Sequence, residues 1–447
     1  MRKPDLKTTA YLLAVATMAA VVGWLGFAKG VPAVWLISWL LEIGLLALAP
    51  GWPAAGLAAY VAMQYAVSSH GELHDLLLSW RATDALAALA LIGWGLFRRP
   101  LAPPGRHGDG PRVTGALLLA WIGSSLAAAL LRGAPWGPFP RHDPSAFFQC
   151  AVMFIIAADT LRSRRAGTAM AAVLVLAVAT RATLQGVAGI YLESYVATLA
   201  VMAVPVAALG ALIGKGMLLR LLFAAAVPGL VAVVALSQNR AAAVAAAAGV
   251  VALLLQCLTR RLRPRGVQLA LLSTAVAASA LLFKATVSRF QALFDPTVGH
   301  ATAGLDRGTA QNRLDLWRAG WQMAQDAPLL GIGPGNFAAE VQYVLPGSDP
   351  LSAHSNYVQM LAETGFPGLA LYLLFFGLVV VGLVRCAGHA PVGRWQRPAA
   401  QMLLLTLVVY LVGGVFNSRH DLALAYLIAG WSCAVMAAAA PPARAGA

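Results

Sequence analysis

The chain has 447 residues, of which 60% are hydrophobic and only 11% are charged, and its mean hydropathy is +0.74. Soluble domains carry about 25% charged residues, so this chain lacks the polar residues that a soluble surface requires. The composition therefore excludes a soluble enzyme, a disordered chain and a nucleic-acid-binding module. It predicts an all-α polytopic membrane protein, because a helix satisfies its own backbone hydrogen bonds in lipid. In this class, the net charge of +15 indicates membrane topology before it indicates an anionic partner.

Apolar segments of roughly 17–25 residues, long enough to cross a bilayer, recur along the chain. Some of them are short or closely abutted, so they predict twelve to fourteen transmembrane helices. The candidate spans are 10–28, 31–49, 52–69, 82–97, 113–131, 146–161, 167–188, 193–213, 217–236, 240–258, 266–284, 355–385, 398–416 and 420–440.

The basic residues predict the orientation of these spans. If the N-terminus is cytoplasmic, alternate connections carry arginine and lysine clusters, and most of the 32 basic residues fall on the cytoplasmic side. Such an excess is typical of cytoplasmic loops. We therefore expect a multi-pass protein of the bacterial inner membrane, with both termini in the cytoplasm.

One connection, residues 285–354, is much longer than the others and falls on the outer side. It divides the chain into N-terminal transmembrane helices (1–284), a large periplasmic loop with short helices (285–354) and C-terminal transmembrane helices (355–447). Long loops without a function are uncommon.

Two segments inside the loop have clear patterns. Residues 309–325 predict an amphipathic helix in which Leu314, Trp317 and Trp321 share one face and Thr309 serves as the N-cap. Residues 328–337, PLLGIGPGNF, predict tight turns because of their glycines and prolines.

Once the basic cytoplasmic connections are set aside, the remaining ionisable residues in or beside the spans gather on the outer side. An ionisable residue inside a span is costly and is a functional candidate by default. Arg181 lies in the outer half of span 167–188, Arg240 begins span 240–258, and His354 precedes span 355–385. The run Arg419-His420-Asp421 follows span 398–416 and is more typical of a solvated turn.

These residue types suit transfer chemistry on a phosphate-linked donor. Arginine pairs bidentately with phosphate oxygens. A histidine at a helix N-terminus tends to stay neutral and able to accept a proton. The His70, His74 and Asp75 spacing would suit a metal, but no third strong ligand lies nearby, so no metal site is predicted.

Three stretches resemble the O-antigen ligase and polymerase superfamily. They are RLDLWRAGWQMAQDAPLLGIGPGNF from residue 313, HSNYVQMLAETGFPGLAL from residue 354, and SQNR at 237–240. In the last of these, Asn239 replaces the commoner serine or threonine. The resemblance implies a GT-C-like membrane fold and a glycosyltransferase that uses a polyprenyl-diphosphate-linked glycan on the periplasmic face.

The resemblance also implies roles for individual residues. His354 matches the essential loop histidine, which orients and deprotonates the acceptor hydroxyl. Arg240 matches the arginine after the serine-rich motif, and Arg181 an arginine of an earlier helix. These two would bind the diphosphate without a metal or other cofactor, and Arg313 and Arg419 are further candidates for substrate binding.

Three residues of the HSNYVQ motif, Asn356, Tyr357 and Gln359, are expected to support the site. Within the superfamily, the ligase is favoured, with undecaprenyl-diphosphate-linked O-antigen as donor, lipid A–core oligosaccharide as acceptor and the bilayer as surroundings. A polymerase would carry two large outer loops with an Arg-x₁₀-Gly pattern, which this chain lacks. A protein O-oligosaccharyltransferase and a transporter of the same lipid-linked glycan are the alternatives.

Overall fold

The computed structural model describes residues 6–28, 40, 43–44, 46–49, 54–66, 82–97, 109–131, 144–187, 194–237, 239–258, 301–345, 351–391 and 393–439. Within these residues every regular element is a helix. The helices are α1 (Leu6–Ala28), α2 (Ala55–Ala66), α3 (Ala82–Phe97), α4 (Asp109–Leu131), α5 (Pro144–Thr160), α6 (Arg164–Val187), α7 (Ser194–Ile213), α8 (Met217–Leu236), α9 (Arg240–Leu258), α10 (Ala301–Asp326), α11 (Phe337–Val344), α12 (Asn356–His389), α13 (Gln396–Gly413) and α14 (Ala423–Ala439).

The predicted all-α polytopic membrane class is confirmed. Helices α3, α8 and α9 have the predicted bounds, and the other helices outside the long loop begin and end within about four residues of theirs. Of the described helices, five are long and apolar enough to cross a membrane: α6, α7, α8, α12 and α13. The predicted span 266–284, and most of 31–49, lie outside the described residues.

The described helices place two kinds of chemistry at opposite ends of the bundle. At one end, Arg164 donates hydrogen bonds to the carbonyls of Ile213 and Gly214, and Arg220 donates to Gly214 at 2.8 Å. Cations there complement the C-terminal end of the α7 dipole. This end holds three of the predicted basic connections, those between α5 and α6, between α7 and α8, and between α12 and α13. The candidate site residues lie at the other end.

The core centres on α14, which is buried from Ala423 to Val435. Tyr426 stacks against Trp121 and Phe375, with ring centroids 5.6 and 5.7 Å apart. The phenol of Tyr426 donates a hydrogen bond to the carbonyl of His420 at 2.7 Å, and that of Tyr410 donates to the carbonyl of Arg419 at 3.0 Å. The aromatic core therefore fixes the turn between α13 and α14, which belongs to the candidate site.

Helix α12 is broken at Gly365, where φ is 69° and ψ is −174°. The break separates a short segment, 356–364, from the long membrane helix. A Cβ at Gly365 would lie 2.5 Å from the carbonyl oxygen of Pro328, so only glycine fits this close approach. Backbone groups freed by the break bond to the turn before α11: Ile332 donates to Ala362 at 2.8 Å, and Gly333 to Glu363 at 3.0 Å.

The predicted tight turns in 328–337 are confirmed, because Gly331, Gly333 and Gly335 all have positive φ. A Cβ at Gly331 would lie 2.3 Å from the backbone of Glu363. The turn therefore packs directly onto the broken part of α12. It holds the short segment that directly follows the candidate histidine and its neighbour Ser355.

Helix α10 differs from its prediction in length and in its buried face. It begins at Ala301 and has 26 residues, so it is not short, and Thr309 lies inside it rather than capping it. Leu314 and Trp321 are 47% and 50% exposed, whereas Leu316, Ala319 and Met323 are buried. The helix packs on α12 through the face that carries Ala319 and Gly320, and a Cβ at Gly320 would be 2.4 Å from Val358.

Candidate functional site

His354 is held in a left-handed backbone conformation just before α12. Its φ of 51° is the only positive φ of a non-glycine residue in the described part of the chain. Ser355 is extended and caps α12, its hydroxyl accepting a hydrogen bond from the amide of Val358. Conformations of this kind cost free energy and persist where the surroundings over-determine them, which occurs often at active sites.

The neighbours of His354 are fixed on both sides. The amide of Ala353 donates to Gln359 Oε1 at 2.9 Å, and the carbonyl of Ala353 accepts from the Trp317 indole at 3.0 Å. Beyond the histidine, the amide of Ser355 donates to the hydroxyl of Ser418 at 3.1 Å. The amide of Asn356 then donates to the carbonyl of Gly414 at 2.7 Å.

The electrostatics of His354 favour the neutral imidazole. Burial lowers the pKa of His354 below its usual 6.5, and the positive charges of Arg313 and Arg419 lower it further. The ring is therefore neutral and able to accept a proton at pH 7. The same charges show that the structure brings Arg313 and Arg419 near His354, as the predicted site requires.

Arg181 and Arg419 meet on a single aromatic ring. Their guanidinium carbons lie 4.8 and 4.9 Å from the ring centroid of Tyr195, at the start of α7. Arg181 is only 2% exposed, whereas Arg419 is half-buried. Because the face of an aromatic ring attracts cations, Tyr195 stabilises both guanidinium groups. Such a pair of charges suits an anionic group.

A small cleft opens beside Arg419. Its polar lining comes from Thr198, Asn356, Asn417 and Arg419, and its apolar lining from α7, α9 and α13. The side-chain amide of Asn417 donates to the Thr198 hydroxyl at 3.0 Å, and the side-chain oxygen of Asn356 accepts from the backbone amide of Arg419. Asn356 thus connects the start of α12 to the arginine turn.

Tyr357 and Gln359, predicted to support the site, both make structural contacts there. The phenol of Tyr357 donates to the carbonyl of Leu411 at 2.7 Å, which joins α12 to α13. Gln359 is buried and holds Ala353 beside the histidine.

Arg240 begins α9, and Ala241, Ala242 and Ala245 on the following turns line the cleft. Its side chain lies outside the described residues. Asn239 Oδ1 accepts from the amide of Ala242 at 3.0 Å and so caps the helix. Asparagine, serine and threonine are all favoured N-caps. This explains why asparagine serves at a position where the resembling motif has serine or threonine.

Sequence reasoning missed two site residues, Glu363 and His420. They are 1% and 0% exposed, and His420 Nε2 lies 4.0 Å from Glu363 Oε2. The interpretation of Arg419-His420-Asp421 as a solvated turn is therefore wrong for His420, which packs between Glu363 and the ring of Phe147. The signal for Glu363 was present, since an acidic residue in an apolar segment is itself a functional candidate.

Among the described residues, no group of three or more His, Cys, Asp or Glu could hold a metal ion. His70, His74 and Asp75, whose spacing was considered above, lie outside that part of the chain.

Comparison with known families adds evidence for the site. Residues 224–373, about a third of the chain, match the O-antigen ligase family. No curated protein matches the chain. The match confirms the resemblance to the O-antigen ligase and polymerase superfamily, and it supports a ligase- or polymerase-type glycosyltransferase role. Arg240, Arg313 and His354 lie inside the matched segment. Arg181 and Arg419 lie outside it, and Arg419 contacts it through Asn356.

Proposed function

We propose that this protein is an inverting, metal-independent O-antigen ligase of the bacterial inner membrane. It transfers the polysaccharide from undecaprenyl diphosphate to the lipid A–core oligosaccharide on the periplasmic face. The observation that carries the proposal is the position of Arg419, which lies near the neutral His354, shares the Tyr195 ring with Arg181 and lines the cleft.

The arginines supply the leaving-group chemistry. As the bond between the anomeric carbon and the diphosphate oxygen breaks, negative charge develops on the diphosphate. Arg181 and Arg419, held together on Tyr195, neutralise this charge with donors that are already in place. We assign Arg240 to the same group, because it begins the helix that lines the cleft. Guanidinium groups can thus take the part that a divalent cation plays in other enzymes.

His354 supplies the base. The acceptor hydroxyl oxygen attacks the anomeric carbon from the face opposite the diphosphate, its proton passes to the His354 imidazole, and the configuration inverts. A general base typically contributes 10²–10⁴-fold to the rate. The leaving-group contacts should therefore matter at least as much as the histidine.

The orientation follows from the two ends of the bundle. Positively charged connections mark the cytoplasmic side of membrane proteins. The end that carries Arg164 and Arg220 is then cytoplasmic, and the cleft opens toward the periplasm. A GT-C-like arrangement and the division at 285–354 belong to this proposal.

A polymerase or a protein O-oligosaccharyltransferase would use the same donor, and the single long outer loop favours the ligase over both. A transporter of the lipid-linked glycan would need polar sites near mid-membrane and repeated halves. In the described residues, by contrast, the candidate site lies at one end of the bundle.

Complementation tests this choice. The gene should restore capped lipopolysaccharide in ligase-null bacteria and should not restore chain elongation in polymerase-null bacteria. The variant His354→Ala should fail in the first strain. The control His389→Ala, which changes an exposed histidine at the opposite end of α12, should succeed. Rescue of only the polymerase-null strain would refute the ligase assignment.

A further inference from the structure

Glu363 is a carboxylate buried beneath the candidate site, to which the proposed mechanism assigns no role. It lies in the short segment of α12 before the break at Gly365 and is 1% exposed. Its Oε1 accepts hydrogen bonds from the Gln359 amide and, at 3.4 Å, from the backbone amide of Phe337. Its Oε2 faces His420 Nε2 at 4.0 Å. One carboxylate therefore contacts α11, α12 and the turn that carries Arg419.

The contact with Gln359 fixes which way the glutamine amide points. Glu363 Oε1 accepts from the Gln359 NH₂ group, so this group faces the carboxyl. The amide oxygen is then directed the other way, where it accepts from the Ala353 amide at 2.9 Å and the Ser418 hydroxyl at 3.3 Å. With the amide reversed, an NH₂ group would meet the Ala353 N–H, donor against donor.

The residue held by this contact is the immediate neighbour of His354. The left-handed φ of 51° at His354 costs free energy, and the fixed peptide groups on either side maintain it. The anchoring hydroxyl on the far side belongs to Ser418, which also donates to Gln359. Gln359 therefore holds Ala353 on one side of the histidine directly, and Ser355 on the other side through Ser418. Glu363 in turn orients the Gln359 amide.

We propose that Glu363 is a positioning residue. Through Gln359 it sets the backbone conformation that aims His354 into the site, and through His420 it holds the turn that carries Arg419. The inference rests on the proposed function for its effect on catalysis. Its geometric part, the order of the backbone around His354, stands independently of the reaction.

Exchanging the two polar residues tests the proposal. Glu363→Gln removes the carboxylate that holds the Gln359 NH₂ group and so weakens the contact that orients this amide. Gln359→Glu sets two carboxylates against each other. Each single change should lower kcat/KM about tenfold or more, and the double variant, with glutamate at 359 and glutamine at 363, should recover most of that loss. The recovery is incomplete because Phe337 N–H loses its acceptor.

The Gln359→Glu variant has a further signature. Two facing carboxylates repel each other until they share one proton. The glycan-transfer rate of Gln359→Glu should therefore rise as the pH falls, over a range where the rate of the double variant does not change. A purely structural role would not produce this dependence.

An activity-independent measurement separates this inference from the proposed function. Amide hydrogen exchange at Ala353 should be about fivefold faster in Glu363→Gln and in Gln359→Leu, because one hydrogen bond is lost. The control is Gln396→Leu, which removes a largely buried glutamine bonded to the carbonyl of Ala438 at the other end of the bundle. It should leave exchange at Ala353 unchanged.

The outcomes are distinct. Folded single variants with wild-type exchange at Ala353 would overturn the positioning role, and so would a double variant that recovers nothing. If the wild-type protein transfers no glycan, the proposed function fails. The exchange measurement then still decides whether Glu363 orders the backbone around His354.

Discussion

Replacing Tyr195 with leucine removes the ring that both guanidinium groups of the candidate site contact. A cation–π contact is worth about 0.5–1 kcal/mol when exposed and about 2 kcal/mol when desolvated. Arg181 is 2% exposed and belongs to the second class, while half-buried Arg419 belongs to the first. The two contacts together contribute up to about 3 kcal/mol, so losing them should weaken donor use by about tenfold to a hundredfold.

The assay is steady-state transfer from undecaprenyl-diphosphate-linked glycan, with the donor varied at a fixed lipid A–core concentration. Tyr195→Phe keeps the ring face and should remain within about threefold of the wild type. Tyr343→Leu, on an 80% exposed tyrosine of α11, controls for the loss of a tyrosine elsewhere. If Tyr195→Leu retained the wild-type donor KM and kcat/KM, or if the phenylalanine variant were equally impaired, the ring would not organise the arginines.

Three further predictions follow from the site and its supports. Because His354 must be neutral and its pKa is lowered, kcat/KM should fall only as the pH drops below 6.5. Arg313→Gln removes a positive charge that lowers this pKa, so the fall in kcat/KM should move to higher pH. A move to lower pH would contradict the role of Arg313. Asn239→Ala should lower the free energy of unfolding by about 1 kcal/mol through loss of the α9 cap, while Asn239→Ser should be nearly neutral in thermal unfolding. Gly331→Ala should lower the free energy of unfolding by at least about 1–2 kcal/mol because its backbone is left-handed, and by more because its Cβ would contact the Glu363 backbone. Gly377→Ala, whose Cβ would meet open space, should leave thermal unfolding unchanged.

The membrane helices were readable from the sequence because hydropathy and length decide them. The bounds of α3, α8 and α9 follow directly from where the apolar runs stop. The break inside α12 was not readable in the same way. Gly365 lies in an apolar run, and its non-helical backbone depends on the glycine turn that packs against it from 328–336.

The sequence predicted those candidate site residues whose ionisable side chains lie in or next to apolar membrane spans. Arg181 and His354 stand out in apolar surroundings, and the structure does bring Arg313 and Arg419 near the histidine. Tyr195 carried no such signal, because an aromatic residue at a span end is ordinary in membrane proteins. Its role depends on α6, α7 and the turn between α13 and α14 meeting, which the sequence alone does not reveal.

The errors have a common physical cause. The apolar face of α10 was placed on Leu314, Trp317 and Trp321, but close packing on α12 buries the face with Leu316, Ala319 and Gly320. His420 was assigned to solvent because charged residues flank it, yet the fold buries it against Glu363 and Phe147. In both cases, tertiary packing overrode the local pattern.

The central claim is that the site formed by His354 and the neighbouring arginines transfers a glycan from a lipid diphosphate to a saccharide acceptor. Purified wild-type protein in liposomes, given undecaprenyl-diphosphate-linked O-antigen and lipid A–core, should yield O-antigen-capped lipid A–core as a new gel band of confirmed mass. His354→Ala should reduce this product by about 10²–10⁴-fold, and His389→Ala should form it at the wild-type rate. No capped product from the wild-type protein, or an equal yield from His354→Ala, would contradict the account.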